Sequence, residues 1–140
     1  HIEALADLSL AEIFSVHGEA HYRRTERQAL DALIADGQTA VLATGGSIVV
    51  DPENFGRLRE GSTTVWLKAA PEDHWDRVIQ QGDRRPMKDH PHAMQQLRTL
   101  LDERSVLYGQ ADLTVNTSGR SVTDVVTDIL RFLAHGVHVR

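Results

Sequence analysis

The segment AVLATGGSIVV, residues 40–50, is the stretch of sequence that best indicates the fold. An apolar run leads into Gly45, Gly46 and Ser47, and a second apolar run follows. This order predicts a buried strand at 39–44 that ends in a tight loop. Paired glycines after a strand let the backbone approach an anionic ligand closely, because neither residue carries a Cβ. On these residues alone, the segment could be a catalytic loop, a binding loop or a simple turn.

Two further apolar segments, 63–69 and 111–117, are predicted to be strands of the same sheet. Both are apolar on their two faces, as buried parallel strands are. Segments with helical patterns separate the strands, which is typical of an α/β fold with a parallel sheet and right-handed crossovers. The predicted helices cover 9–17, 19–36, 51–61, 71–80, 93–108 and 121–134.

The composition limits the classes of protein. The chain has 140 residues, 41% of them hydrophobic, a formal net charge of −5 and no cysteine. No apolar run reaches the roughly 18 residues of a membrane span, and the negative charge disfavours electrostatic binding of nucleic acid by the domain itself. The eight histidines lack partners at the usual metal-ligand spacing, so no metal site is expected among them. We expect a cytoplasmic single domain, 1–140, without membrane contact.

Charged residues continue the apolar stripes of two predicted helices. In helix 19–36 the stripe extends backwards onto Arg23 and Glu26, and in helix 93–108 it extends forwards onto Arg104. A buried unpaired charge costs several kcal/mol, so these side chains either emerge into water at the helix ends or line a polar cleft. In open α/β sheets such a cleft lies at the carboxyl ends of the strands.

Six segments resemble shikimate kinases in order and spacing, and the likeness spans about residues 3–131. The resemblance implies a P-loop nucleoside-monophosphate-kinase-like α/β fold, in which ATP and Mg²⁺ phosphorylate a hydroxyl of shikimate. The segments are LSLAEIFSVHGEAHYRRTERQAL, VLATGGS, TVWLKAAPE, RRPM, DERSVLY and ADLTVNT.

The resemblance also implies the residues of a substrate site. Arg23 and Arg104 match the two arginines that bind the shikimate carboxylate in that family. Glu26 matches the acidic residue that orients the first arginine, and Gly45 and Gly46 match glycines of the substrate loop.

A nucleotide site is implied in the same way. Arg85 matches the arginine of a lid, here at about 81–92, which reaches the ATP phosphates. Arg77 and Arg120 match positions near the adenine.

The sequence departs from the family pattern at three places. Ser47 replaces the last glycine of a triplet and adds a side chain where the substrate ring would pack. The motif G-x-x-x-x-G-K-[ST] is absent from the chain, and so is the family's aspartate pair. No catalytic residue is therefore visible, and we expect the natural protein to be longer at its N-terminus than this chain, with the phosphate-loop strand in that part.

A second resemblance is to the C-terminal domain of helix-turn-helix regulators of aerobic benzoate degradation. The segments that carry it are TVWLKAAPEDHWDRVIQQGDRRPM, AMQQLRTLL and ADLTVNTSGRSV, and QGDRRPM and TSGR are its most specific parts. It implies a DNA-binding module outside this chain and a ligand-sensing domain, a possible homodimer, for a CoA thioester such as benzoyl-CoA. The acyl group would lie near Arg23, Ser47 and Arg104, and the CoA phosphates and adenine near the three arginines of the nucleotide site. Ser47 favours this interpretation. An active shikimate kinase is the alternative, and a relic with a structural role is a third possibility.

Overall fold

Two parallel strands form the sheet in the part of the chain that the structure describes. This structure is a computed structural model, and it describes residues 1–80 and 92–136. Strand β1 (Val65–Lys68) pairs with strand β2 (Leu113–Asn116), with Val65 opposite Leu113. The strands predicted at 63–69 and 111–117 are therefore confirmed, and so is their parallel direction.

Helices make up most of the remaining described residues, which belong to two compact units, His1–Ser62 and Thr63–Arg140. No helix among them is long and apolar enough to cross a membrane. The first unit contains α1 (Ile2–Ala6), α2 (Leu10–Glu12), a π-helical turn (Ile13–His17), α3 (Gly18–Ala35), a 3-10 turn (Gly46–Val50) and α4 (Pro52–Gly61). The second contains α5 (Pro71–Gln80), α6 (Ala93–Tyr108) and α7 (Val122–Gly136), besides β1 and β2.

The strand predicted at 39–44 does not form. These residues have no regular secondary structure, and Val41 is fully exposed, at 103% relative accessibility. A strand needs a hydrogen-bonded neighbour, and in the described part of the chain the sheet consists of β1 and β2 alone. The apolar sequence of this segment is therefore insufficient to make it a strand here.

The first unit is built around the face of α3 that the sequence predicted. Leu30 is 3% exposed and Ala29 is 5% exposed, and α3 packs against α4 and the π-helical turn. Glu26, which continues this face toward the start of the helix, is buried as well, with 4% of its surface exposed. The helix end therefore does not simply emerge into water at this position.

Side chains hold the ends of the strand pair in the second unit. The Asp112 carboxylate accepts hydrogen bonds from the Thr64 amide at 2.8 Å and from the Thr64 hydroxyl at 2.7 Å. At the other end, the Thr117 amide donates to the Lys68 carbonyl at 2.7 Å. Both threonines are buried, so these bonds satisfy polar groups that water cannot reach.

Asp51 begins α4 as the sequence predicted, and its replacement by alanine should destabilise the first unit. Its carboxylate accepts from the amides of Glu53 and Asn54, both at 3.0 Å, and Pro52 occupies the first helical position. Loss of such a cap costs about 1 kcal/mol. Urea unfolding of Asp51→Ala should show this loss, whereas Glu60→Ala, an exposed carboxylate on the same helix, should leave the midpoint unchanged. Equal midpoints for both variants would contradict the role of the cap.

Candidate functional site

A buried carboxylate, that of Glu26, organises the predicted site in the first unit. Its Oε2 accepts from Arg23 Nη1 at 2.9 Å and from Asn54 Nδ2 at 2.9 Å. Its Oε1 accepts from the Tyr22 hydroxyl at 3.1 Å. A buried charge is tolerated when it is paired and hydrogen-bonded, and Glu26 meets both conditions.

Asn54 is a component of this network that the sequence analysis did not identify. Its side chain is fully buried, and besides Glu26 it donates to the Arg23 carbonyl at 3.0 Å. Its Oδ1 accepts from Arg27 Nε at 2.9 Å. Helical spacing could have predicted the burial of Asn54, because it lies four residues before the buried Leu58 on α4 and shares its face.

The guanidinium of Arg23 forms ion pairs with one buried and one exposed carboxylate. Nη1 bonds the buried Glu26, whereas Nη2 bonds Glu19 at 3.2 Å, whose side chain is 66% exposed. The Arg23 side chain itself is 12% exposed. An exposed ion pair contributes little free energy, so an incoming carboxylate could replace Glu19 at Arg23 while Glu26 holds the guanidinium in place.

The glycine loop lies against the same network. Gly45 has an ordinary backbone conformation, φ −64° and ψ 140°, and Gly46 begins the 3-10 turn. A Cβ added to Gly45 would lie 3.7 Å from the Tyr22 hydroxyl oxygen, which is normal van der Waals contact. Neither backbone strain nor crowding therefore demands a glycine at position 45.

Tyr22 joins the loop to the buried carboxylate. Its ring is 6% exposed and stacks on Phe14 with 4.6 Å between ring centroids. Burial first, and then the negative charge of Glu26, raise the pKa of Tyr22, whereas Arg23 and a hydrogen bond with Ser47 act in the opposite direction. The structure thus brings four of the predicted residues, Arg23, Glu26, Gly45 and Ser47, together around a tyrosine that the sequence analysis had not singled out.

The raised pKa of Tyr22 predicts a loss of stability at alkaline pH. The folded state holds the phenol proton more tightly than the unfolded chain. This contribution is therefore complete below about pH 10 and is lost as the pH rises through the folded-state pKa. Urea unfolding between about pH 9 and pH 11 should show a shallower decline of stability for Tyr22→Phe than for the parent. Parallel declines would contradict the prediction, and Tyr108→Phe, in the other unit, is the control.

The remaining predicted residues belong to the second unit or lie outside the described residues. Arg104 is half-buried on α6 and has no hydrogen bond or ion pair with any described residue. Arg77 donates to the Thr117 hydroxyl at 3.3 Å, and Arg120 pairs with Asp128 at 2.7 Å. The predicted roles of Arg77, Arg104 and Arg120 in a site shared with the first unit stay predictions.

The predicted lid, at about 81–92, falls on residues that are mostly not described. Arg85 and the whole of 81–91 lie outside the described residues. The predicted contact of Arg85 with ATP phosphates therefore stays a prediction.

The described residues contain neither a cluster of three or more metal-binding side chains nor the phosphate-loop motif. Within 1–80 and 92–136, no group of three or more His, Asp or Glu side chains could hold a metal ion. Such phosphate sites normally combine a glycine-rich loop, a lysine and a hydroxyl, and that motif is absent from the sequence. What the described residues do offer is a recessed arginine and a loop whose first two residues, Gly45 and Gly46, carry no side chain, which suits a small carboxylate.

The family model for shikimate kinase matches residues 1–134. A shikimate kinase of Synechococcus sp. (strain JA-3-3Ab) is 42% identical over 114 residues, which are 81% of this chain and 59% of that protein. A shikimate kinase of Symbiobacterium thermophilum (strain DSM 24528 / JCM 14929 / IAM 14863 / T) is 39% identical over 134 residues, 94% of this chain and 76% of that protein. The chain thus spans between 59% and 76% of the length of these two curated relatives.

A solved structure supports the same conclusion about the fold. Shikimate kinase from Acinetobacter baumannii in complex with shikimate superposes with a TM-score of 0.79 at 29% identity, over 95% of this chain and 74% of that one. The predicted fold class, a P-loop nucleoside-monophosphate-kinase-like α/β fold with a parallel sheet, is therefore confirmed.

These similarities overturn the interpretation as a benzoyl-CoA-sensing domain of a transcription regulator. Similarity to shikimate kinases over nearly the whole chain supports the alternative, a shikimate kinase. The predictions of DNA binding and of a role in benzoate degradation were therefore wrong. Two short motifs were the most specific support for the regulator interpretation, and QGDRRPM lies in the lid segment, outside the described residues. Ser47, which seemed to favour sensing, lies near the Tyr22 hydroxyl and lowers the pKa of that group.

Proposed function

Because this chain belongs to the shikimate kinase family, we propose that the protein transfers a phosphoryl group from ATP to a hydroxyl of shikimate. Arg23 supports this proposal most directly. Its guanidinium is oriented by the buried Glu26, and its other ion pair among the described residues is with the exposed Glu19. A substrate carboxylate can therefore take the place of Glu19 without disturbing the buried ion pair.

The glycine loop supports the proposal in a second way. Gly45 lies at the Tyr22 hydroxyl, yet the fold does not require its lack of a side chain. Gly45 and the Arg23 guanidinium both lie against Tyr22, and a ring bearing a carboxylate needs such a combination of an oriented arginine and a position without a side chain. We propose Arg23, Glu26 and the loop of Gly45, Gly46 and Ser47 as the part of the shikimate site within the first unit.

The remaining assignments are proposals that rest on the family. Arg104 would be the second arginine on the substrate carboxylate, and Arg77, Arg85 and Arg120 would contact the nucleotide. We also propose that residues 1–140 belong to one kinase domain with a lid at about 81–92. When bound, ATP and Mg²⁺ supply the phosphoryl group and neutralise its charge.

Shikimate-dependent release of ADP by the full-length protein tests the proposal. We expect turnover with ATP, Mg²⁺ and shikimate, and none when shikimate is omitted. Calorimetric titration with shikimate alone should also show binding, because the proposed carboxylate site does not include the nucleotide. Absence of both binding and turnover would refute the proposed function and would leave a structural role.

A further inference from the structure

We propose that the Tyr22 hydroxyl is a positioning group, which holds the loop of Gly45, Gly46 and Ser47 in register with the Glu26–Arg23 ion pair. The inference rests on the proposed function for its effect on shikimate, although its structural part does not depend on it. Tyr22 itself need not touch the substrate.

The first observation is the position of the hydroxyl between two elements. It donates to Glu26 Oε1 at 3.1 Å, within α3. On its other side it meets the loop, since a Cβ on Gly45 would lie 3.7 Å from the hydroxyl oxygen, and Ser47 lies near enough to lower the pKa of the hydroxyl. One oxygen atom therefore contacts both the carboxylate that orients Arg23 and the loop that would face the ring.

The second observation is that the ring has little freedom to move. It is 6% exposed, stacks on Phe14 on one side, and has the Arg23 guanidinium 5.1 Å from its centroid. A hydrogen bond from a hydroxyl on a rigid ring holds its partner in a defined position. Forming this bond costs little additional conformational entropy, because the ring is already ordered.

The third observation concerns how the oxygens of Glu26 are shared. Oε2 is bonded by Arg23 and Asn54, whereas Tyr22 is the hydrogen-bond donor found for Oε1 among the described residues. Removing the hydroxyl would leave a buried carboxylate oxygen unsatisfied, which costs more than the bond itself contributes. The carboxylate would then be free to rotate, and Arg23 with it.

Tyr22→Phe in the full-length protein tests this inference, because phenylalanine keeps the ring and removes the oxygen. We expect the KM for shikimate to rise about tenfold, as for loss of a hydrogen bond to a charged group, with the KM for ATP unchanged. In the protein without ligand, hydrogen exchange at the amides of 45–50 should accelerate. Tyr108→Phe, which removes a phenol hydroxyl in the second unit, should change neither quantity.

The outcomes separate the inference from the proposed function. If the parent binds shikimate and Tyr22→Phe binds it equally well, the positioning role is refuted and the proposed function stands. Faster exchange in the loop with an unchanged KM would also refute it, since the hydroxyl would then serve stability alone. If the parent fails to bind shikimate, the proposed function fails, and unchanged loop exchange in Tyr22→Phe would refute the structural part of the inference. Should Tyr22→Phe not fold, Ser47→Ala tests the loop side: faster exchange at the amides of 45–50 together with a higher shikimate KM supports the inference, and unchanged exchange refutes it.

Discussion

Glu26→Ala should lower the free energy of unfolding by about 3 kcal/mol or more, because removal of one partner from a buried ion pair leaves the other charge uncompensated. Three donors, on Tyr22, Arg23 and Asn54, would lose their acceptor at once. The side chain of Arg23 is 12% exposed, so water could compensate only in part. Urea unfolding monitored by circular dichroism measures the change.

Glu53→Ala is the matched control for this prediction. Glu53 also pairs with two arginines, Arg27 at 2.8 Å and Arg57 at 3.3 Å, but its side chain is 54% exposed. Exposed pairs contribute about 0–1 kcal/mol. If Glu26→Ala and Glu53→Ala cost the same, burial of the Glu26 network would not be what stabilises the first unit.

Arg23→Lys should weaken shikimate binding by about 10- to 100-fold, which corresponds to loss of a charge-assisted hydrogen bond. Lysine keeps the positive charge, but a single ammonium cannot bond Glu26 and a substrate carboxylate with the fork geometry of a guanidinium. Calorimetric titration of the full-length protein with shikimate measures the affinity directly.

Arg24→Lys is the corresponding control. Arg24 is the next residue on the same helix, it is exposed, and it has no hydrogen bond or ion pair among the described residues. The same change of chemistry there should leave the affinity unaltered. An equal loss in both variants would indicate a general electrostatic effect, and no loss in either would remove Arg23 from the proposed site.

The longer helices could be predicted from the sequence because their signals are local. The short helix α1 was missed, and the helix predicted at 9–17 is α2 followed by the π-helical turn. Ser9 and Asp51 cap the helices that they were expected to begin, and both accept hydrogen bonds from backbone amides. The stripe of α3 left two alternatives for Arg23 and Glu26, a helix end in water or a polar cleft, because helical spacing gives only the face of the helix. Burial of Glu26 excludes the first alternative for that residue.

The parts that could not be predicted depend on distant residues. Segment 39–44 has the composition of a strand, but a strand exists only when another segment pairs with it. Asn54 and Tyr22 acquire their places through contacts that cross up to 31 positions of sequence, as between Asn54 and Arg23. The regulator interpretation failed for a different reason, because it gave two short motifs more weight than a likeness over the whole chain.

The pairing of β1 with β2 has a consequence for the order of folding. Thr64 and Asp112 are 48 positions apart. The chain between them must be closed into a long loop, at a cost in conformational entropy, before the hydrogen bonds between the strands can form. Contacts of such high sequence separation slow folding, and helices form from local contacts well before them. We therefore expect Asp112→Ala to raise the unfolding rate more than it lowers the folding rate in stopped-flow measurements. The bonds at the strand ends would then determine how long the folded unit persists, rather than how quickly it forms.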